Sequence, residues 1–305
     1  MVQQASSLDC DVVIVNYNSG ALLTDCVTSV LKAGAAHAII VDNASNDTSL
    51  NCLERAYQAD ARIIIIRNHA NLGFAKACNI GAQVSSAPYI LFLNPDTTIE
   101  ESTINRMIEV IDSEHDIGMV GGMLCNMDGT EQPGGRRVFP TPRRAFIRAF
   151  GLSQLGRYFP TLFSDFLLHK EPLPTEPVRV EAISGACMLV SRETLEDVGP
   201  LDEGYYMHCE DLDWCMRYWQ KGWQVFFVPD AKIYHVWGGC SRSRPIFVEW
   251  HKHKGMMRFY RKFFHHQYPG ILMWLVGLGV WLRFGLIAIY YSARHVARWL
   301  GLLRA

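Results

Sequence analysis

An apolar run, Tyr89-Ile90-Leu91-Phe92-Leu93, leads directly into Asn94-Pro95-Asp96. A carboxylate at the carboxyl end of a buried strand stands where open α/β sheets bind ligands. Pro95 fixes its own φ and lacks a backbone donor, so Asp96 is expected outside the strand ladder. A carboxylate held that way suits a hard divalent cation, and a cation there suits a diphosphate. Asn, Pro and Asp are also ordinary turn formers, so this junction alone does not separate a site from a strand-ending turn. A second acidic group, Glu210-Asp211-Leu212-Asp213, precedes Trp214-Cys215-Met216-Arg217. Acids favour the positive N-terminal end of a helix. On a helix Asp213 and Arg217 are four apart and can pair, which leaves Glu210 or Asp211 to face a cleft as a base. Spacing does not choose between these two, because one residue along a helix turns a side chain by about 100°.

The elements that must position these groups alternate. Asp11 to Val15 is an apolar run ending in Asn16-Tyr17-Asn18-Ser19-Gly20, and Ala21 to Lys32 carries an apolar helical face. Ala38 to Val41 is a second strand, ending in Asp42-Asn43-Ala44-Ser45; Ser49 to Gln58 reads as a helix and Arg62 to Arg67 as a third strand. Leu72 to Val84 is a further helix with Asn71 as its cap, and Tyr89 to Leu93 is the fourth strand. Strands alternating with helices of this length imply a parallel sheet with helices on both faces. Asn16, Asn18, Asp42, Asn43, Asn68, Asn71, Asn94 and Asp96 then fall at strand ends and converge on one edge. No G-x-G-x-x-G follows the first strand and no G-x-x-x-x-G-K-[ST] is present, which disfavours a dinucleotide Rossmann site and removes P-loop chemistry. Residues 128–177 are rich in Pro, Gly and Arg and read as a loop-rich insertion over the sheet edge. Ser184-Gly185-Ala186 lies in an apolar stretch, small enough for a ligand to approach backbone, and Trp223 to Val228 reads as a late strand.

Charge divides the chain. Glu249 is the last acid; nine basic residues follow it, so a tail of +9 leaves −10 for the rest of a chain whose net charge is −1. Such a tail points to an anionic surface. Within it Ile271 to Tyr291 is about long enough to cross a bilayer, but Arg283 lies near its middle, where insertion costs roughly 2.5–3.5 kcal/mol. A segment lying in the interface or re-entering it, a spanning helix and a buried or oligomerising helix all stay open, and the apolar content disfavours nucleic acid as the partner. The nine cysteines contain no C-x-x-C pair, and no basic start followed by an apolar stretch opens the chain. Both features fit reduced thiols and a catalytic part in the cytoplasm.

In order, Val13-Ile14-Val15-Asn16-Tyr17-Asn18, Val41-Asp42-Asn43-Ala44-Ser45, Asn71-Leu72-Gly73-Phe74, Asn79, Asn94-Pro95-Asp96, Ser184-Gly185-Ala186 and Glu210-Asp211-Leu212-Asp213 with Arg217 resemble the family-2 glycosyltransferases, closest to their rhamnosyltransferase-like branch. The resemblance covers about residues 10 to 265. It implies a GT-A fold, a Rossmann-like, mostly parallel sheet flanked by helices, over residues 1–240; the charge and apolar pattern sets apart a basic helical region, 241–305, with a membrane-associating segment at 270–292. It implies that Asp42 contacts the pyrimidine base, that Asn16, Asn18, Asn43, Asn71, Gly73, Phe74, Asn79 and Asn94 serve the nucleotide-sugar, and that Ser184, Gly185 and Ala186 border the sugars. Asp96 and His235 would hold Mg²⁺ or Mn²⁺ on the diphosphate, and Asp211 would be the base with Glu210 as its support. Asn94 stands where the commoner D-x-D form has its first acid. The implied reaction is inverting transfer, from dTDP-L-rhamnose as the favoured donor or a UDP-hexose as the alternative, to a hydroxyl of a lipid-linked or cell-surface saccharide, with a polyprenyl-diphosphate-linked saccharide at the inner leaflet as the expected acceptor, by a monomer or a homo-oligomer. The rivals are a membrane-tethered scaffold without turnover and a nucleotidyltransferase, whose Gly-rich basic loop Asn16 to Gly20 lacks.

Overall fold

The computed structural model describes residues 8–144, 167–236 and 244–300. The chain forms two compact units, one made of the described residues of Met1–Phe139, Phe166–Tyr206 and Glu210–Cys240, the other of those of Pro140–Asp165, Met207–Cys209 and Ser241–Ala305. Residues 145–166 of the expected insertion lie outside the described residues, as do 237–243 and 301–305.

The first unit begins as its apolar periodicity predicts. β1 (Cys10–Asn16), α1 (Leu22–Lys32), β2 (His37–Asp42), α2 (Ser49–Ala56), β3 (Ile63–Arg67), α3 (Phe74–Val84) and β4 (Tyr89–Leu93) alternate strictly. β5 (Thr97–Ile99), α4 (Thr103–Ile111), β6 (Ile117–Cys125), β7 (Arg136–Arg137), β8 (Val178–Val180), β9 (Ala182–Ile183) and β10 (Cys187–Ser191) follow. The unit ends with α5 (Arg192–Val198), α6 (Glu210–Lys221) and β11 (Gln224–His235). The main sheet runs β3-β2-β1-β4-β10-β6-β11-β5, with β8 also on β11, while β7 and β9 pair separately.

Neighbours among β1 to β4 are parallel, as the βαβ pattern requires. β10 then runs antiparallel to both β4 and β6, and β5 antiparallel to β11, which makes the far half of the sheet mixed. Because side chains alternate along a strand, each core strand feeds two layers. Val12, Ile14, Ile40, Leu91 and Leu189 meet α1, α2 and α4 in one apolar cluster. On the other face Phe92 meets Trp214 of α6 edge-on at 5.3 Å, and Trp214 meets Tyr218 in the same way at 5.5 Å.

Two boundaries differ from expectation for local reasons. The helix expected from Leu72 starts at Phe74, because Gly73 has φ +87° and Asn71 Oδ1 accepts the Gly73 N–H at 3.0 Å in a turn of its own. The late strand runs on past Val228 to His235, carried through an irregularity between Val228 and Lys232 by pairing with both β6 and β5.

In the second unit α7 (Pro245–Phe263) opens with Pro at its first position, and α8 (Gly270–Trp299) is long and apolar enough to cross a membrane.

Candidate active site

The carboxyl ends of β1, β2 and β3 carry a closed polar network. Asn16 Nδ2 donates to Asp42 Oδ1 at 2.7 Å and to Ser49 Oγ at 2.9 Å, and its Oδ1 accepts from Ser19 Oγ. Asp42 Oδ2 accepts the Ser45 N–H at 3.2 Å. Asn43 Nδ2 donates to the Gly73 carbonyl at 3.1 Å and its Oδ1 accepts from Asn68 Nδ2 at 2.9 Å. Asn18 sits at φ 52°, a conformation Asn tolerates, and its Oδ1 accepts the Asn46 N–H at 2.8 Å. A Cβ on Gly73 would lie 2.5 Å from the Tyr206 carbonyl oxygen, and that carbonyl accepts the Phe74 N–H at 2.7 Å, so only glycine permits this crossing. Asn16, Asn18, Asp42, Asn43, Asn71, Gly73 and Phe74 are thereby joined along one edge. Asn79 has different work. Its Nδ2 donates to the Leu201 carbonyl at 2.9 Å and to Glu203 Oε1 at 3.1 Å, and its Oδ1 accepts the Leu201 N–H at 3.0 Å. Every polar atom of that buried amide is spent on the 201–203 loop.

Asp96 lies between β4 and β5, and its backbone carbonyl accepts the Val236 N–H at 2.9 Å. Because β5 pairs with the last residues of β11, His235 Nε2 comes 3.3 Å from Asp96 Oδ1. The sequence reading missed Gln132, which decides what this contact means. Gln132 Nε2 donates to the His235 carbonyl at 2.6 Å, which orients the amide and turns Oε1 to His235 Nδ1 at 2.9 Å. Nδ1 therefore carries a ring proton, and Nε2 faces the Asp96 carboxylate, presenting a lone pair where the ring is neutral. A cation placed between that lone pair and the carboxylate would be held by both. No cluster of three or more His, Cys, Asp or Glu suited to a metal occurs among the described residues, so this pair would supply two ligands. That number fits a Mg²⁺-type ion, which keeps waters and substrate phosphates in its shell.

The second acidic cluster forms the first turn of α6, after His208 and Cys209, both non-glycine residues at positive φ (63° and 70°). Asp211 Oδ2 accepts from Arg137 at 2.6 Å and from the Gly185 N–H at 2.9 Å, while its Oδ1 accepts the Leu212 N–H at 2.8 Å. Burial alone would push this carboxyl up, but the Arg137 guanidinium and the two N–H groups hold it below the ordinary range, so it is an anion. Glu210 goes the other way: burial first, then the Asp211 charge, raises it, and its Oε2 has no hydrogen-bond partner. Asp213 pairs with Arg217 Nε at 2.8 Å and accepts from Tyr205 at 3.1 Å, a structural role.

Ser184-Gly185-Ala186 joins the two acidic sites. The Ala186 carbonyl accepts the Asn94 N–H at 3.0 Å, the Gly185 N–H holds Asp211, and a Cβ at Gly185 would lie 3.3 Å from Asp211 Cβ. The close approach expected there from a ligand is made by Asp211. Arg137 was also missed. It follows Arg136 on β7, and the two point to opposite sides: Arg136 binds Glu131 at 2.8 and 3.1 Å, and Arg137 binds Asp211. Both missed residues sit in Glu131-Gln132-Pro133-Gly134-Gly135-Arg136-Arg137, whose only signal is polar side chains set in a Gly-rich run.

A mixed sheet with an amide-rich edge and a separate buried carboxylate fits a GT-A-type transferase. Solved structures share that fold. One is S. aureus TarS (residues 1–349), with TM-score 0.55 at 14% identity over 90% of this chain and 70% of that one. Another is GalNAc-T7 with UDP, GalNAc and Mn²⁺, with TM-score 0.56 at 19% identity over 76% of this chain, which spans only 44% of that protein. Residues 11–199 match the profile of glycosyl transferase family 2, and the chain belongs to that family. It is 26% identical over 237 residues to the N-acetylglucosaminyl-diphospho-decaprenol L-rhamnosyltransferase of Mycobacterium tuberculosis, a match covering 73% of this chain and 75% of the relative. It is 26% identical over 258 residues to the dTDP-rhamnosyl transferase RfbF of Shigella flexneri, covering 82% and 76%. The protein is a glycosyltransferase whose curated relatives include rhamnosyltransferases.

Proposed function

We propose that this enzyme transfers L-rhamnose from dTDP-L-rhamnose, with inversion, to a hydroxyl of a polyprenyl-diphosphate-linked saccharide at the cytoplasmic face of the plasma membrane. The observation that carries the reading is the facing of Asp96 and His235, with the His235 ring oriented by Gln132, beside the Asn16–Asp42 edge. The relatives' rhamnosyl names support the donor, and the decaprenol relative supports a lipid-linked acceptor. Residues 241–305, with their basic α7 and apolar α8, would attach the catalytic residues 1–240 to the membrane.

In this reading Asp42 accepts the ring N–H of a pyrimidine, and the surrounding amides hold the nucleoside. Asp96 and His235 would hold Mg²⁺ or Mn²⁺, which as a Lewis acid neutralises charge on the departing diphosphate. Asp211, ionised and backed by Arg137, takes the acceptor hydroxyl's proton as its oxygen attacks the anomeric carbon from the face opposite the leaving group. In-line attack inverts that centre, and no covalent nucleophile is needed. Glu210 supports the base.

Binding of dTDP, UDP and GDP, each with and without Mn²⁺, to the wild type and to Asp96→Ala tests the reading by calorimetry. Metal-dependent dTDP binding that the variant loses is the expected result. Tighter UDP binding would replace rhamnose with a UDP-hexose. Absence of any nucleotide binding would favour a membrane-tethered scaffold.

A further inference from the structure

The two helices of the second unit pack antiparallel. The Trp250 ring stands 5.0 Å from that of Trp281 and 5.4 Å from that of Phe284, and a Cβ at Gly277 would meet Met257 Cε at 3.2 Å. Met273, Gly277, Trp281 and Phe284 thus define the side of α8 turned to α7. At 100° per residue a second side is set by Ile271, Leu275, Leu278, Leu282, Leu286 and Ile289, spaced three and four apart. These side chains are exposed, Ile271 by 74% and Leu286 by 70%. They form one apolar stripe along the helix.

The cations of α8 avoid that stripe. Arg283, Arg294 and Arg298 are eleven and four residues apart, a spacing that returns to one helical face. Arg283 also has a partner: its Nη1 lies 3.4 Å from Nε2 of His253 on α7, a buried ring whose Nδ1 donates to the Glu249 carbonyl at 2.7 Å. The one charge within the apolar run is therefore hydrogen-bonded to the neighbouring helix.

The company of α7 decides between crossing and lying flat. The contacts of His253 with Phe284 and of Met257 with Gly277 place Lys254 and Arg258 beside the centre of the 271–291 run. Were α8 to cross a bilayer there, these cations would be carried to the middle of the hydrocarbon, where charged side chains are expelled. Laid in the plane of the surface, the same hairpin turns its leucine stripe into one leaflet. Lys252, Lys254, Arg258, Arg261 and Lys262 then lie at headgroup level with no acid after Glu249 to oppose them.

We propose that the α7–α8 hairpin seats flat in the headgroup boundary of an anionic bilayer, entering a single leaflet through the Ile271–Ile289 stripe without crossing it. The inference rests on the membrane attachment proposed above. The test is flotation of the full chain with phosphatidylcholine vesicles and with vesicles enriched in phosphatidylglycerol, followed by labelling of bound protein with an impermeant maleimide. His266→Cys and His295→Cys bracket the apolar run at exposed positions, and labelling is counted over that of the parent chain. Flat seating predicts flotation that strengthens with anionic lipid and full labelling of both variants from outside. It also predicts that Leu278→Glu with Leu282→Glu lowers flotation at least tenfold at unchanged thermal melting. Labelling of either variant only after detergent means a crossing helix and overturns the inference while leaving membrane attachment standing. Absence of flotation with both vesicle types overturns the attachment itself.

Discussion

The two halves of the candidate site are satisfied in opposite ways. Around Asn16, Asp42 and Asn43, amides and carboxylate exchange hydrogen bonds until most of their polar atoms are used. Around Asp96, His235, Glu210 and Asp211, polar groups are held close together with a remainder: His235 Nε2 facing a carboxylate, and a Glu210 oxygen without a partner. A saturated network fixes geometry at little cost and suits recognition of a rigid base. A centre holding an unbalanced lone pair or charge is poised for a cation or a proton, which is what leaving-group and acceptor chemistry require.

If that contrast is right, the largest effect belongs to Asp211. Asp211→Asn should lower turnover by about 10²–10⁴-fold with nucleotide binding retained, because it removes the proposed base and leaves the recognition half intact. Since Arg137 holds the wild-type carboxylate ionised below the ordinary range, the acidic limb of kcat/KM should lie below the usual carboxylate range. An acidic limb near pH 8 would assign the base to Glu210.

Asp96→Ala comes next. Its effect should be confined to the metal-containing titration, with Mn²⁺-dependent nucleotide affinity reduced more than ~100-fold, beyond the range for outer-shell changes. Binding without metal should be unchanged. Equal loss with and without Mn²⁺ would merge the two halves into one and break the comparison.

Gln132→Ala sharpens it further. Losing the group that orients a metal-binding histidine commonly costs about 10–100-fold in metal affinity. Nitrogen NMR of His235 should show the proton fixed on Nδ1 in the wild type and shared between the two nitrogens in the variant. An unchanged tautomer would show that Gln132 only braces the strand.

The same division explains what could be read from the chain. The saturated half is built from consecutive βαβ units, so hydrophobic periodicity places its strands and the polar residues at their ends. The poised half depends on pairings between remote segments. Arg137 meets Asp211 across 74 positions and Gln132 meets His235 across 103, from a Gly-rich run without periodicity. Nothing local to Asp96 announces that β5 will pair with the end of β11, and only the family resemblance joined it to His235. Asn79 is a motif residue whose amide serves a loop 122 positions away, a contact that nothing local to it announces.

Glu210→Gln should have the smallest effect on turnover, a decrease of several-fold, and its clearer signature is in stability. The Glu210 carboxyl is pushed up to about 8 by burial and by Asp211, whereas an unfolded glutamate titrates near 4.3. Between these values the folded state holds a proton that the unfolded state has lost, so raising pH across this window favours unfolding. Glutamine has no proton to lose. Chemical denaturation of both proteins at pH 5 and pH 8.5 should therefore shift the stability difference toward the variant as pH rises. A difference independent of pH would mean that Glu210 is already charged in the folded protein. The poised half would then carry two adjacent anions, and Asp96 with His235 would be its only centre holding a remainder.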